Sequence, residues 1–332
     1  MKVLLLQLDG SLPNLALMRL AAHHRSLGDE VTLRRAPKPS AVEPMLGDSF
    51  ARVYASLIFE RTRPVAERLL RVHPDAVVGG TGWDLVATLE GVGVGDRVRP
   101  DYSDYPGYRH SVGFTQRGCR LRCPFCVVPR KEGGPRHSAT AGDIWRGEPF
   151  PRNLVLLDND FFGGPDWRAR VREFRDGGFR VNFNQGVNCR TIDDEAAEAI
   201  AGLDYYDADF RKRRLYTAWD SRRDEARLFG GLDRLRRAGV PPHRVTVYML
   251  IGYWAGETEE DWLYRRARLR DYGCDPYPMP YRRTPLAVGF QRWAVGHYDR
   301  RVPWADWKAA ECEPRRLWRG RVSLPLFDGP ED

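Results

Sequence analysis

Cysteine is scarce in this chain: six in 332 residues, with none before Cys119. Cys119, Cys123 and Cys126 stand within eight positions of one another, whereas Cys189, Cys274 and Cys312 are single. An odd trio followed by scattered singletons excludes the framework of a disulfide-stapled domain. Long hydrophobic runs are missing as well. The stretch VLLL near the start is typical, far below the roughly 20 apolar residues a membrane helix needs. The N-terminus has one Lys before a short strand-like run and no small-residue cleavage site, so no signal peptide is expected. The expected compartment is the cytoplasm, where clustered thiols stay reduced and bind metal more often than they pair. Acidic residues are in deficit, 45 against 53 Lys and Arg, for a net charge of +8. A basic surface attracts nucleic acid or other polyanions, although an Arg-rich coding bias yields the same excess.

What is present is an ordinary apolar fraction and enough chain for about two domains. Residues 1–100 alternate strand and helix: KVLLLQL at 2–8, a helix capped by Asn14, strands at 30–33 and 53–59, a helix at 64–72 and AVV at 76–78. That order predicts a small, parallel, Rossmann-like layer. The Gly-, Pro- and Tyr-rich stretch 91–108 has no periodicity and reads as a linker. Within 101–285, strands are expected near 111–115, 153–157, 180–184, 214–219, 244–251 and 276–280. Helices are expected between them, one opened by Thr191 and Asp194 at capping-box spacing and one by Thr258. Six strand–helix units predict an α/β fold, a partial (β/α)6 barrel with ligands at the carboxyl ends of its strands. Residues 286–332 read as a C-terminal extension of short helix and irregular chain.

The cysteine trio, C-x3-C-x2-C, falls in the loop directly after the first of these strands, SVGFT. Structural zinc takes four ligands, and no fourth Cys is near; His137 or His110 could complete a Cys3His site. Alternatively, three thiolates bind three irons of a cubane cluster and leave the fourth iron open to a chelating substrate. With Phe125 preceding the last Cys, the motif resembles the hallmark of the radical S-adenosylmethionine superfamily, C-x3-C-x-aromatic-C, and the likeness extends over most of 108–285. It implies a [4Fe-4S] cluster on Cys119, Cys123 and Cys126. It also implies reductive cleavage of S-adenosyl-L-methionine to a 5′-deoxyadenosyl radical, an external electron donor of flavodoxin or ferredoxin type, and Phe125 against the adenine.

Further stretches resemble strand ends of the branch that contains methylthiotransferases and cobalamin-dependent enzymes. LLDNDFF (156–162) implies Asp158, Asn159 and Asp160 near the methionine amino group, with at most two facing inward. NFNQGVNCR (182–190) implies Asn184 and Gln185 facing the ligand and Arg190 paired with its carboxylate. LYTAWDS (215–221) matches a fourth-strand pattern through Asp220 and Ser221, and YMLIGYWAGETEEDW (248–262) implies that Ile251 and Gly252 bring backbone to the adenine. The first hundred residues resemble the cobalamin-binding-like domain that precedes many such cores, with Gly79 and Gly80 facing its cleft. The loop DGSLPN has no His to ligate cobalt, which weakens cobalamin as a cofactor. Residues 1–118 also lack the cysteines of a methylthiotransferase's second cluster. Cys189 follows the third strand, where a hydrogen-atom donor could stand. Hydrogen abstraction from an unidentified substrate, nucleic acid or nucleotide included, is the expected reaction. Cobalamin-mediated methyl transfer and a Cys3His zinc protein binding nucleic acid are its alternatives.

Overall fold

A computed structural model describes residues 1–43, 49–95 and 98–312. Residues 96–97 of the expected linker and 313–332 of the expected extension lie outside the described residues. The chain divides into two compact units, 1–218 with 226–246, and 219–225 with 247–332.

The first unit begins with strand β1 (Lys2–Gln7), helix α1 (Leu15–Ser26), β2 (Glu30–Arg35), β3 (Arg52–Ser56), α2 (Arg63–Val72) and β4 (Val77–Gly79). Asn14 opens α1, its side chain accepting the Leu17 N–H at 3.1 Å. The four strands form a parallel sheet in the order β2-β1-β3-β4. Period-two alternation splits the apolar run of β1 between two faces: Leu4 and Leu6 pack with Val65, Ala66 and Leu69 of α2, and Val3 and Leu5 with Leu17, Leu20 and Ala21 of α1. Both faces being covered, nearly every residue of β1 is buried. At the sheet's carboxyl edge the loops fold onto one another. Asp9 accepts the N–H groups of Ile58 and Phe59 at 2.7 and 2.9 Å. Gly80, at φ +100°, turns so close to Leu57 that a Cβ would lie 2.2 Å from its carbonyl oxygen. The freedom of Gly80 therefore serves the protein's own turn.

Past the linker come β5 (Ser111–Gly113), β6 (Gln116–Arg117), α3 (Val128–Lys131), β7 (Arg136–His137), α4 (Ala141–Ile144), β8 (Asn153–Leu156), α5 (Trp167–Asp176), β9 (Arg180–Phe183), α6 (Asp194–Ala201), β10 (Asp204–Tyr205), β11 (Leu215–Ala218) and α7 (Glu225–Arg237). A second parallel sheet has the order β10-β9-β8-β5, and β6 and β7 pair as a small antiparallel ribbon. The expected fourth strand, near 214–219, is β11, and an unexpected short strand, β10, precedes it. β10 pairs with the amino end of β9, and β11 lies beside the chain that leaves it, Val187 N–H donating to the Tyr216 carbonyl at 2.8 Å. The cap of helix α6 falls two residues later than the Thr191 spacing suggests. Ile192 is buried, Asp193 takes the cap by accepting the Ala196 N–H at 2.8 Å, and Thr191 turns back to the Asn188 carbonyl.

The second unit carries β12 (Val245–Ile251) from its third residue on, α8 (Glu259–Tyr272), β13 (Asp275–Pro280), α9 (Pro285–Val295) and α10 (Trp304–Glu311). β12 lies beside β13. Thr258 and Asp261 form the expected capping box of α8. Rings of Trp262, Phe290, Trp293 and Trp304 build this unit's core. The chain is thus of the α/β class with parallel sheets, and no helix among the described residues is long and apolar enough to cross a membrane.

Candidate functional site

The cysteine loop leaves the carboxyl end of β5 and is fixed at both ends before the first thiol is reached. Pairing of Gln116 with His137 and Arg117 with Arg136 closes its base. Gly118, at φ +83°, then turns the chain so tightly that a Cβ would stand 2.1 Å from the Gly134 carbonyl oxygen. Cys119 N–H donates to the Gly133 carbonyl at 3.1 Å, and Cys126 N–H to that of Cys123 at 3.0 Å. Helix α3 follows, and Lys131 donates to the Thr81 hydroxyl at 2.7 Å, tying this loop to the carboxyl edge of the first sheet.

Every member of the Asp158–Asn159–Asp160 triplet, at the carboxyl end of β8, turns to this loop or its immediate support. Asp158, 3 % exposed, accepts the Thr115 N–H at 2.8 Å, the Gln116 N–H at 3.3 Å and the Thr115 hydroxyl. Asn159 donates to Glu132 at 3.3 Å. Asp160, also buried, pairs with Arg120 Nε at 2.9 Å and accepts the Arg120 backbone N–H at 3.2 Å. Arg120 reaches on to the Thr191 hydroxyl at 3.0 Å, bringing the chain after β9 to the same place. A residue that sequence reasoning passed over holds this together. Glu132 accepts from Arg117 at 2.6 and 3.1 Å and from the Gly118 N–H at 2.9 Å. Burial opposes its ionisation, but Arg117 and that N–H hold its carboxyl below the usual range. Its signal was available: it is the lone acid among six Lys and Arg in 117–137.

Cys119, Cys123, Cys126 and Phe125 are all partly exposed, and no cysteine of the chain is in a disulfide. Burial pushes the Cys119 thiol up to about 11, and Asp160, Cys123 and Cys126 add to the rise, so the three sulfurs lie within electrostatic reach. Among the described residues, no three His, Cys, Asp or Glu side chains converge closely enough to hold a metal ion. By donor chemistry the trio fits a thiolate-bound metal group: three soft ligands on one anchored, accessible loop, which must shed protons and close together on binding. Neither histidine joins them. His110 stands at the opposite, amino end of β5 and contacts Asn153 and Phe210. His137 turns to Asp166 at 3.4 Å.

Beyond β9, Asn184 is half-buried and Gln185 exposed, the latter donating to the Asn184 side chain at 3.1 Å. Arg190 Nε donates to the Asn188 side chain at 3.1 Å. Cys189 is fully buried and its thiol is pushed up to about 12 by that burial; Cys274 is also buried. In the second unit, the Asp220 carbonyl accepts from Trp254 Nε1 at 2.7 Å, and Ser221 accepts the Arg223 N–H. The Ile251 carbonyl accepts the Tyr281 N–H at 2.9 Å. Gly252, at φ +73°, gives its N–H to Glu257 at 2.7 Å, and Glu257 is in turn paired with buried Arg265. The Gly-Glu-Thr stretch thus fixes its own turn before Thr258 caps α8.

The Asp158 clamp gives a pH dependence. Burial pushes its carboxyl up to about 7 from the ordinary 3.8, against hydrogen bonds from Thr115 and Gln116 that favour the charge. A folded state that holds the proton more tightly gains stability that is fully present below about pH 3.8 and is lost as pH rises through about 7. Asp158→Asn keeps an acceptor for both N–H groups and cannot ionise. The stability of the native protein relative to this variant, read from urea unfolding between pH 5 and pH 8, is expected to fall with rising pH. Parallel curves would contradict the assignment. Asp158→Ala strands buried donors at a cost of about 3 kcal/mol or more.

No family model matches the chain, and no curated protein matches it.

Proposed function

We propose that the protein is a radical S-adenosylmethionine enzyme whose core is a partial β/α barrel and whose Cys119, Cys123 and Cys126 hold a [4Fe-4S] cluster. The observation that carries this reading is the placement of the trio: one accessible loop at the carboxyl end of β5, with the acidic end of β8 devoted to holding it. Ligands of parallel α/β sheets bind at such strand ends. When bound, the cluster supplies an electron that cleaves S-adenosyl-L-methionine to methionine and a 5′-deoxyadenosyl radical. The chain's own residues orient and enclose. Asp158, Glu132 and Asp160 fix the loop, so the role of the two aspartates moves from touching the methionine amino group to positioning the thiols, with Glu132 beside them. Asn184 and Gln185, partly open at the end of β9, are the remaining polar groups for that amino group, with Arg190 for the carboxylate. Phe125 flanks the adenine. A flavodoxin- or ferredoxin-type donor and an unidentified substrate complete the reaction, and the cytoplasm is the compartment such chemistry suits.

Iron and sulfide analysis after anaerobic reconstitution tests the proposal. A brown protein with four of each per chain is the expected result; a colourless chain that takes up one zinc and no iron would favour the Cys3His alternative. The His110 ring is engaged with Asn153 and Phe210 and the His137 ring with Asp166, so neither is committed to the trio. For methyl transfer the first sheet would have to seat cobalamin without an imidazole, on an edge where Gly80 already packs against Leu57.

A further inference from the structure

A cleft of about 290 Å³ opens in the first unit between the chain that leads into β5 and the turn from α4 to β8. It belongs to the amino end of β5, the end away from the thiol loop: Arg146 N–H donates to the Ser111 hydroxyl at 3.1 Å and Val112 N–H to the Tyr102 hydroxyl at 2.8 Å. Two guanidinium groups line it. That of Arg146 lies 4.1 Å from the ring centroid of Tyr102 and 3.6 Å from that of Phe150, and one of its nitrogens donates to the Tyr108 carbonyl at 2.6 Å. Arg99 donates to the Trp145 carbonyl at 3.0 Å.

Among the described residues neither guanidinium is in hydrogen-bonding contact with a carboxylate, although the charge of Arg99 is felt by Asp143, whose carboxyl is held low first by its bonds to Thr140. The cleft's own acids are committed elsewhere. Asp101 is held by Arg25 and Ser103, and Asp143 caps α4 through the Thr140 N–H and hydroxyl. Arg146 is the informative group. Two rings fix the plane of its guanidinium, so its remaining N–H donors are pre-oriented, and little side-chain entropy is left to lose on meeting an anion. Ile144, Trp145 and Phe150 supply apolar wall beside these donors.

We propose that this cleft binds a compact organic anion, a phosphate monoester or carboxylate with a ring-sized apolar body, its charge on Arg146 and Arg99 and its body against Ile144 and Trp145. The site is independent of the iron chemistry, since the thiols stand at the other end of β5.

Calorimetric titration of the full chain at low salt with phenyl phosphate, benzoate, inorganic phosphate and phenol tests it. At least one of phenyl phosphate and benzoate should bind measurably, the tighter one identifying the headgroup, and both phenol and inorganic phosphate should bind at least about tenfold more weakly, since each lacks one half of the recognition. Arg99→Gln, at an exposed position, should weaken the bound anion about tenfold. Arg146→Gln should weaken it at least as much. If Arg146→Gln fails to fold, Arg99→Gln alone decides. Absence of binding by both organic anions, phenol or inorganic phosphate binding as well as they do, or an unchanged Arg99→Gln titration would each overturn the proposal.

Discussion

Replacing Cys119, Cys123 or Cys126 by Ala is expected to abolish iron retention and, with it, cleavage of S-adenosylmethionine. Thiolate ligation supplies most of the binding free energy of such a centre. The loss should exceed the roughly 10–100-fold that residues behind a ligand typically cost. The loop itself should survive, because its anchors are Asp158 on Thr115, Glu132 on Gly118 and Asp160 on Arg120, none of which involves a cysteine side chain. Urea unfolding of the iron-free proteins should therefore change little, while iron and sulfide retained after reconstitution and anaerobic desalting fall to background. Cys189→Ala and Cys274→Ala are the matched controls: both side chains are buried away from solvent, and both variants should keep their iron. A triple-Ala variant that still carried four irons and four sulfides would remove the basis of the proposal.

Gly118→Ala should come close to the same loss by a different route. The added methyl would lie 2.1 Å from the Gly134 oxygen and 2.6 Å from its carbonyl carbon, and φ +83° disfavours any L side chain. The opposing backbone cannot give way freely, since Cys119 N–H is bonded to Gly133 and β6 to β7. A stability loss of about 2–4 kcal/mol is expected from backbone strain plus overpacking. Iron content should collapse because Cys119 is the next residue. Gly133→Ala separates strain from clash. It also has a positive φ, +72°, but its Cβ meets nothing within 4 Å, so only about 1–2 kcal/mol and little iron should be lost. Equal behaviour of the two variants would mean that the tight turn at Gly118 is not what sets the thiol loop.

Much of the framework was readable because local chemistry and tertiary context agree in it. β1 is a continuous apolar run buried on both faces, and Asn14 and Thr258 cap the helices their sequences announce. Where they disagree, the sequence misleads. Thr191 and Asp194 have capping-box spacing, yet burial of Ile192 moves the cap to Asp193. β10 is only Asp204–Tyr205, too short to carry any periodicity. In the candidate site, residue types and strand ends were legible, but partners were not. Asp158 and Asp160 were read as facing a ligand, because an acid at a strand end looks the same whether it meets a cofactor or a neighbouring loop. Their near-complete burial and their bonds to Thr115, Gln116 and Arg120 show the second arrangement. Gly252 likewise reads as backbone open to a ligand, whereas its N–H belongs to Glu257.

The most direct test of the central claim is a product assay. The anaerobically reconstituted, dithionite-reduced chain is incubated with S-adenosylmethionine, and 5′-deoxyadenosine and methionine are quantified by chromatography. Equal amounts of the two products, formed by the native chain and absent from Cys126→Ala, are the expected result. A native chain that holds its full iron and sulfide but forms no 5′-deoxyadenosine would contradict the account.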